Sequence, residues 1–177
     1  MYIQIRNISK IRHLISFEIA TLLVNSFVLS KLDYCNSLLN NISQENLNSL
    51  QHVQNSAARL LTRKKKYDSA SPLLIQLHWL PVQKRIMYKT CTIVFKSLKG
   101  HAPFYINNLL DPYVPNRQLR SSDDNTILVK PEVKYKMGKQ SFYYAAPRCW
   151  NSLPRELRQT ENLDTFKSRL KTYLFTL

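Results

Sequence analysis

The stretch LNSLQHVQNSAARLLTRKKKY, residues 47–67, decides the fold class of this 177-residue chain. Its apolar residues recur at intervals of three and four, the spacing of one buried face of an α-helix. They are Leu47, Leu50, Val53, Ala57, Leu60 and Leu61. Ser43 precedes the stretch and suits an N-cap, because its hydroxyl can accept a free N–H of the first helical turn. The stretch predicts a long helix whose final turn carries the basic run Arg63–Lys66, where positive charge suits the helix dipole.

Helical spacing also extends to both sides of this stretch. Between Ser16 and Leu39, the residues expected to face a core are Ile19, Leu22, Leu23, Ser26, Phe27, Leu38 and Leu39. Pro72 and Pro81 indicate the starts of two later helices, because proline is well tolerated in a first turn. Gly100 is expected to end the second of these in a left-handed conformation. The first hundred residues therefore read as mostly helical.

The chain changes character after residue 110. Residues 111–125 are polar and rich in turn formers, which predicts a long surface loop. The alternation in ILVKPEVKYK, residues 127–136, indicates a short extended hairpin or ribbon, which Pro131 confines to an edge or a turn.

Helices are predicted again near the C-terminus. In APRCWNSLP, Pro147 and Pro154 are interpreted as the limits of a short helical piece, and Trp150 as its anchor in the core. A last helix is predicted from Asp164, as its cap, to Phe175, with Phe166, Leu170, Tyr173 and Leu174 facing inward. The predicted fold is mainly α: a helical bundle over residues 1–110, then a region over 111–177 with a loop, a short β-ribbon and two to three helices.

Positive charge is concentrated in the middle of the chain. The formal net charge is +15, and residues 59–100 carry ten Lys and Arg against a single acidic residue. If two helices pack side by side, they would give one cationic face able to neutralise phosphates in a salt-sensitive, largely sequence-independent way. The candidate residues are Arg59, Arg63, Lys64, Lys65, Lys66, Lys84, Arg85 and Lys89. Tyr135, Tyr143 and Tyr144 are candidates for stacking on unpaired bases.

No pattern of catalytic or metal-binding residues emerges from the sequence. The four histidines share no ligand spacing, and the three cysteines (Cys35, Cys91 and Cys149) form no Cys-x-x-Cys pair. Asp123 and Asp124 lie among serines and asparagine, without a second acidic cluster that would complete a two-metal site. We therefore expect a chain that is not an enzyme and needs no metal or cofactor.

Targeting signals and membrane spans are not predicted either. The apolar run at residues 14–29 is interrupted by Glu18 and Asn25 and lacks a cleavage pattern. An intracellular protein with reduced thiols, in the nucleus or the cytoplasm, is the corresponding expectation.

Several motifs in a fixed order point to a family. They are SKLDYCNSLL (30–39), LQHVQNSAARLLT (50–62), LHWLPVQKRIMYK (77–89), FKSLKGHAPFYINNLL (95–110), LRSSD (119–123), APRCWNSLPRELR (146–158) and TFKSRLKTYLF (165–175). In this order the chain resembles the carboxy-terminal part of the reverse-transcriptase polyprotein of jockey-like and related non-LTR retrotransposons (LINE elements). The resemblance covers nearly the whole chain.

The resemblance implies a fold and a set of partners. Residues 1–110 would be thumb-like helices, and residues 111–177 the tail behind them. The parent product would join an endonuclease to an RNA-directed DNA polymerase, whose catalysis depends on an aromatic-x-Asp-Asp hairpin that this sequence lacks. The chain would then be a non-catalytic fragment, with RNA or DNA and the polymerase core as its partners.

Three hypotheses follow for the function. The first is a nucleic-acid-binding accessory region of such a reverse transcriptase, whose affinity should fall steeply with salt. The second is a helical module that docks on a protein through an apolar groove, whose affinity should survive moderate salt. The third is a decayed element fragment without a present role, for which aggregation rather than a cooperative melt would be expected.

Overall fold

The structure is a computed structural model that describes residues 1–114 and 126–177. Asp123, Asp124 and most of the predicted surface loop lie outside these described residues. The α-helices are α1 (Tyr2–Ile11), α2 (Phe17–Val24), α3 (Ser30–Asp33), α4 (Gln44–Thr62), α5 (Ser71–Gln76), α6 (Val82–Leu98), α7 (Phe104–Asn107), α8 (Phe142–Asn151), α9 (Arg155–Arg158) and α10 (Leu163–Thr176). The prediction of a mainly α helical bundle is confirmed.

Among the described residues, an isolated contact between two extended segments stands in place of the predicted β-ribbon. Pro112 and Leu128 form an antiparallel bridge. Beside it the Tyr113 N–H donates to the Ile127 carbonyl, and the Val129 N–H donates to the Asp111 carbonyl, both at 2.9 Å. The hairpin expected within residues 127–136 is therefore wrong. Its first residues pair with an earlier segment, and Pro131, which lacks an N–H, cannot extend a ladder.

The chain divides into two compact units. The first contains Met1–Asn36 and Ile42–Arg85, and the second contains Ser37–Asn41 and Ile86–Leu177. The boundary thus falls within α6, whereas the division predicted from sequence was at residue 110. The division at residue 110 follows the change in sequence character there, and it stays a prediction, as does the thumb-like assignment of residues 1–110.

Helix α4 supplies the centre of the first unit, with the face that its sequence predicts. Val53, Ala57 and Leu61 are buried, and Leu50 and Leu60 pack against the same core. Other members of this core come from α1, α2, α3 and α5 and from Trp79; they include Ile8, Ala20, Val24, Leu32, Leu73 and Leu74. Ser43 caps the helix as predicted, because its Oγ accepts the Asn46 N–H at 3.4 Å.

The face predicted between Ser16 and Leu39 is correct for Leu23, which packs against the core, but wrong for most of the other residues. Ile19, Leu22 and Phe27 are 51%, 67% and 51% exposed, and Leu38 is exposed as well. The buried residues of this region are instead Ala20, Val24, Val28, Leu29 and Leu32. Both sets follow a three-and-four rhythm, so sequence spacing alone does not choose between them. A π-helical turn at Asn25–Leu29 joins α2 to α3, and its wider turn shifts the register of every later residue.

Three aromatic rings form the centre of the second unit. Phe95 stacks on Phe166 with ring centroids 4.4 Å apart, and Trp150 lies 5.7 Å from Phe166. The Trp150 Nε1–H donates to the Thr126 carbonyl at 2.7 Å, and the side chain is 1% exposed. Burying so large an apolar side chain contributes about 2–3 kcal/mol. Trp150 is therefore a core anchor, as the sequence predicts.

Two helix limits in this unit differ from the prediction. Pro147 lies inside α8 and is buried, rather than marking the start of a helix. Because proline has no N–H, α8 forgoes the hydrogen bond that residue 147 would otherwise make. Helix α10 is capped by Asn162 rather than by Asp164: the Asn162 Oδ1 accepts the Asp164 N–H at 2.8 Å. Phe166, Leu170 and Leu174 are buried as predicted.

Candidate nucleic-acid interface

The helix α4 ends just before the basic run. Arg63 has φ 54° and ψ 34°, a left-handed conformation that closes the helix after Thr62. The Lys64 N–H then donates to the Arg59 carbonyl at 3.0 Å. The prediction that Arg63–Lys66 forms the final helical turn is therefore wrong. These charges lie beyond the helix, in a segment that we call the basic turn, Arg63–Asp68.

The basic turn is held by backbone hydrogen bonds. The Lys65 N–H donates to Asp68 Oδ2 at 2.7 Å, and the Asp68 N–H donates back to the Lys65 carbonyl at 3.1 Å. The Arg59 Nε–H donates to the Asp68 carbonyl at 2.9 Å and so ties the turn to α4. Asp68 is the only acidic residue among residues 59–100, and one of its carboxylate oxygens is used by the turn itself.

The lysines of the basic turn project into solvent. Lys64, Lys65 and Lys66 are exposed, and Tyr67 beside them is 90% exposed. Within the part of the chain that the structure describes, no carboxylate forms a salt bridge with these three ammonium groups. The turn therefore presents three adjacent positive charges that the fold itself does not use.

A buried arginine supports this turn, and the sequence analysis missed it. Arg12 is buried and donates from Nε to the Leu60 carbonyl at 3.3 Å and from Nη2 to the Leu61 carbonyl at 2.9 Å. Its Nη1 donates to the Ile15 carbonyl at 3.1 Å. These bonds satisfy carbonyls in the last turn of α4 and place a cation at the negative end of its dipole. No spacing in the sequence indicates this role of Arg12, because its two partners in α4 lie 48 and 49 residues away.

The arginines of the predicted site have partners within the fold. Arg59 is bonded to Asp68, and the Arg63 Nη2 donates to the Arg12 carbonyl at 3.4 Å. Arg85 forms a two-point ion pair with Asp33, with Nε and Oδ1 2.8 Å apart. Each of these guanidinium groups thus has a structural role, which reduces its availability to a phosphate.

The eight predicted residues do not form one cluster in the first unit. The Val82 N–H donates to Gln51 Oε1 at 2.8 Å, which places the start of α6 beside Gln51. Arg63 follows Gln51 by twelve residues, or about 18 Å along a helix axis. Lys84, which is half-buried, and Arg85 are therefore separate from the basic turn. Lys89 is exposed and belongs to the second unit.

The three tyrosines predicted to stack on bases all lie in the second unit, in different surroundings. Tyr135 is largely exposed and Tyr143 is partly exposed. The ring of Tyr144 is covered by the guanidinium of Arg148, which lies 3.7 Å from the ring centroid. Tyr144 is therefore already stacked within the protein, whereas Tyr135 presents its ring to solvent.

Two cysteines of the second unit are shielded from solvent. Burial raises the pKa of the Cys91 thiol well above its ordinary value, with a smaller contribution from Cys149. Burial also raises the pKa of Cys149. Both groups are therefore held in the neutral thiol form, which is the less reactive form. Cys35 of the first unit is exposed.

A metal site and a membrane span are the other features considered for residues 1–114 and 126–177. No group of three or more His, Cys, Asp or Glu side chains in these ranges is arranged to hold a metal ion. Of the helices that the structure describes, none has the length and apolar character to cross a bilayer.

Comparison with protein-family models, with curated proteins and with solved structures finds no match to this chain.

Proposed function

We propose that this chain is a non-catalytic, nucleic-acid-binding region of a retrotransposon reverse transcriptase that contacts the phosphate backbone through the basic turn. The observation that carries the proposal is the set of three exposed lysines, Lys64–Lys66, on a turn whose own acidic residue is engaged in backbone bonding. The family assignment rests on the motif order described above, and an intracellular location, in the nucleus or the cytoplasm, goes with it.

The basic turn suits phosphate binding for an electrostatic reason. Each ammonium group that neutralises a phosphate releases condensed counterions, so affinity arises without base-specific contacts. Three adjacent lysines that form no salt bridge with any described residue can do this without first breaking such a pair. The turn is also fixed by the hydrogen bonds between Lys65 and Asp68 and by the bond from Arg59 to the Asp68 carbonyl. A fixed turn loses less entropy on binding.

The other predicted residues are assigned weaker parts in this proposal. Arg59, Arg63 and Arg85 keep their structural bonds and add to the positive potential around the protein. Lys84 and Lys89 contribute in the same way from other positions. Long-range charge of this kind mainly raises the association rate.

The test is charge reversal of the turn. The triple variant Lys64→Glu, Lys65→Glu, Lys66→Glu should bind a labelled single-stranded RNA of 20 nucleotides at least about tenfold more weakly than the wild type, since three phosphate contacts are lost. Fluorescence anisotropy at about 50 and 200 mM salt measures both the affinity and its salt slope. The loss should be the same for RNAs of unrelated sequence.

A second triple variant serves as the matched control. Lys31, Arg169 and Lys171 are exposed and lie outside the basic turn, so changing all three to Glu gives an equal change of net charge without altering that turn. This control should lose less affinity than the turn variant. Equal losses would show that net charge alone causes binding, and no binding by the wild type at low salt would reject the proposal.

An interaction module is the second candidate function, and the exposed residues of α2 favour it. Ile19 and Leu22 lie three residues apart, hence on one helix face, and Phe27 is also exposed. We propose the polymerase core of the parent polyprotein as the partner of this face. Complex formation in a pull-down with that core should survive about 300 mM salt, which screens surface charge. It should be lost in the Ile19→Ser, Leu22→Ser variant, and retention of the complex by that variant would exclude this surface.

A further inference from the structure

Tyr67 is the most exposed of the large apolar and aromatic side chains in the described part of the chain. Its exposed fraction is 90%. An aromatic ring of this size normally buries a large area in a core or an interface. Among the described residues, the ring contact found is with the neighbouring Lys66, whose Nζ lies 5.7 Å from the ring centroid. That distance is close to the outer limit of a cation–π interaction, about 6 Å.

The backbone on either side of Tyr67 is held in place. The two hydrogen bonds between Lys65 and Asp68 close a four-residue turn in which Lys66 and Tyr67 are the central residues. The bond from Arg59 to the Asp68 carbonyl fixes this turn to α4. The ring therefore projects into solvent from a preorganised frame, and little backbone entropy would be lost if a ligand stacked on it.

The ring and the lysines occupy the same turn. Proteins that bind single strands without sequence preference combine positive charges along the backbone with aromatic rings on which bases stack. In a duplex the bases are paired and stacked on one another, so their faces are not open to a side chain except at the ends. A ring beside the phosphate-binding lysines therefore distinguishes a single strand from a duplex, which lysines alone do not.

We infer that Tyr67 stacks on an unpaired base and that the basic turn thereby selects single-stranded over double-stranded nucleic acid. This inference rests on the proposed function. It adds a residue that the sequence analysis did not assign, and it specifies the form of nucleic acid that is bound.

The experiment compares two probes of one chemistry. A labelled single-stranded RNA of 20 nucleotides and the corresponding 20-base-pair RNA duplex are titrated with the full chain and its variants. Tyr67→Ala should weaken binding of the single strand by about 5- to 100-fold, the range found when one base–aromatic stack is removed. Affinity for the duplex should change less than about twofold. The salt slope should stay that of the wild type, because tyrosine releases no counterions.

Two further variants control the interpretation. Tyr67→Phe keeps the ring and should retain the affinity for the single strand. Tyr105→Ala removes another exposed tyrosine, one that lies in a stretch, residues 100–116, without lysine or arginine. This variant should bind the single strand and the duplex as the wild type does. Because the Tyr67 side chain is exposed, Tyr67→Ala and Tyr67→Phe should unfold at the temperature of the wild type.

The outcomes separate the inference from the proposed function. If the Lys64–Lys66 variant loses affinity but Tyr67→Ala does not, the inference is overturned while the proposed function stands. An equal loss for single strand and duplex in Tyr67→Ala also overturns it, since stacking would not be the cause. If the wild-type protein binds neither probe at low salt, the proposed function and the inference fail together.

Discussion

The basic turn of the first unit and helix α8 of the second unit each carry a large aromatic residue, and the two residues lie in opposite surroundings. Trp150 stands out in the sequence between two prolines, yet it is almost fully buried against Phe166. Tyr67 stands in a plain run of lysines, yet it is almost fully exposed. Trp150 is buried in the core, whereas the ring of Tyr67 remains accessible to a ligand.

This difference shows that a conspicuous sequence motif can reflect packing in the core and not a functional site. The motif that most clearly marks the family resemblance, APRCWNSLPRELR, contains a packing anchor, so its residues are explained by stability. None of the motifs that carry the resemblance includes Lys64–Lys66, and no salt bridge within the described residues uses these lysines. Binding residues are therefore better sought among exposed side chains that make no contacts needed for stability, because most binding residues lie at the surface.

The largest expected effect concerns the thiols. Alkylation by iodoacetamide should be fast at Cys35, which is exposed, and at least about 1,000-fold slower at Cys91, which is buried and reacts only when the unit opens at a cost of several kcal/mol. Mass spectrometry of the labelled peptides measures both rates. Similar rates at the two cysteines would show that the second unit is not a packed core.

The Cys91 thiol also predicts the direction in which stability changes with pH. Because the pKa of Cys91 is raised by folding, the folded state keeps its proton to a higher pH than the unfolded chain does. Stability should be unaffected well below the ordinary value of 9.0 and should fall as the pH rises through and above it. Urea unfolding at several pH values should show this fall in the wild type, and a smaller fall in Cys91→Ala.

The next effect is the loss of the Trp150 anchor. Trp150→Ala should lower the free energy of unfolding by about 3–5 kcal/mol, because a large cavity forms beside Phe166. Trp150→Phe keeps most of the volume but loses the hydrogen bond to the Thr126 carbonyl, so it should cost less. Denaturant unfolding followed by circular dichroism measures both. If Trp150→Ala left the free energy of unfolding almost unchanged, Trp150 would not be an anchor of the core.

A smaller loss of stability is expected on changing Arg12, which hydrogen-bonds the end of α4 just before the basic turn. Arg12→Ala should cost about 2–3 kcal/mol, because the carbonyls of Leu60 and Leu61 lose a charged donor in a buried position. Arg6→Ala, at an exposed position of α1, the helix that Arg12 follows directly, is the matched control and should change stability by less than about 0.5 kcal/mol. Equal effects of the two substitutions would show that Arg12 does not hold the end of α4.

Much of the fold follows from local signals in the sequence. The buried face of α4, its Ser43 cap, the left-handed Gly100 at φ 72° and the inward residues of α10 were all predictable. Each depends on spacing or on the chemistry of a residue and its immediate neighbours. The basic turn could also be located as a run of charge, although not its position beyond the helix.

Long-range packing decided the rest. The sequence of α2 offers two apolar faces of similar spacing, and only the surrounding core selects the face with Ala20 and Val24. Arg12 reaches carbonyls far along the chain, and the partner of residues 127–129 is an earlier segment rather than the following one. Local composition determines which elements form and where charge accumulates. Which groups are buried, bonded or left for a ligand depends on contacts between distant residues, which no local pattern encodes.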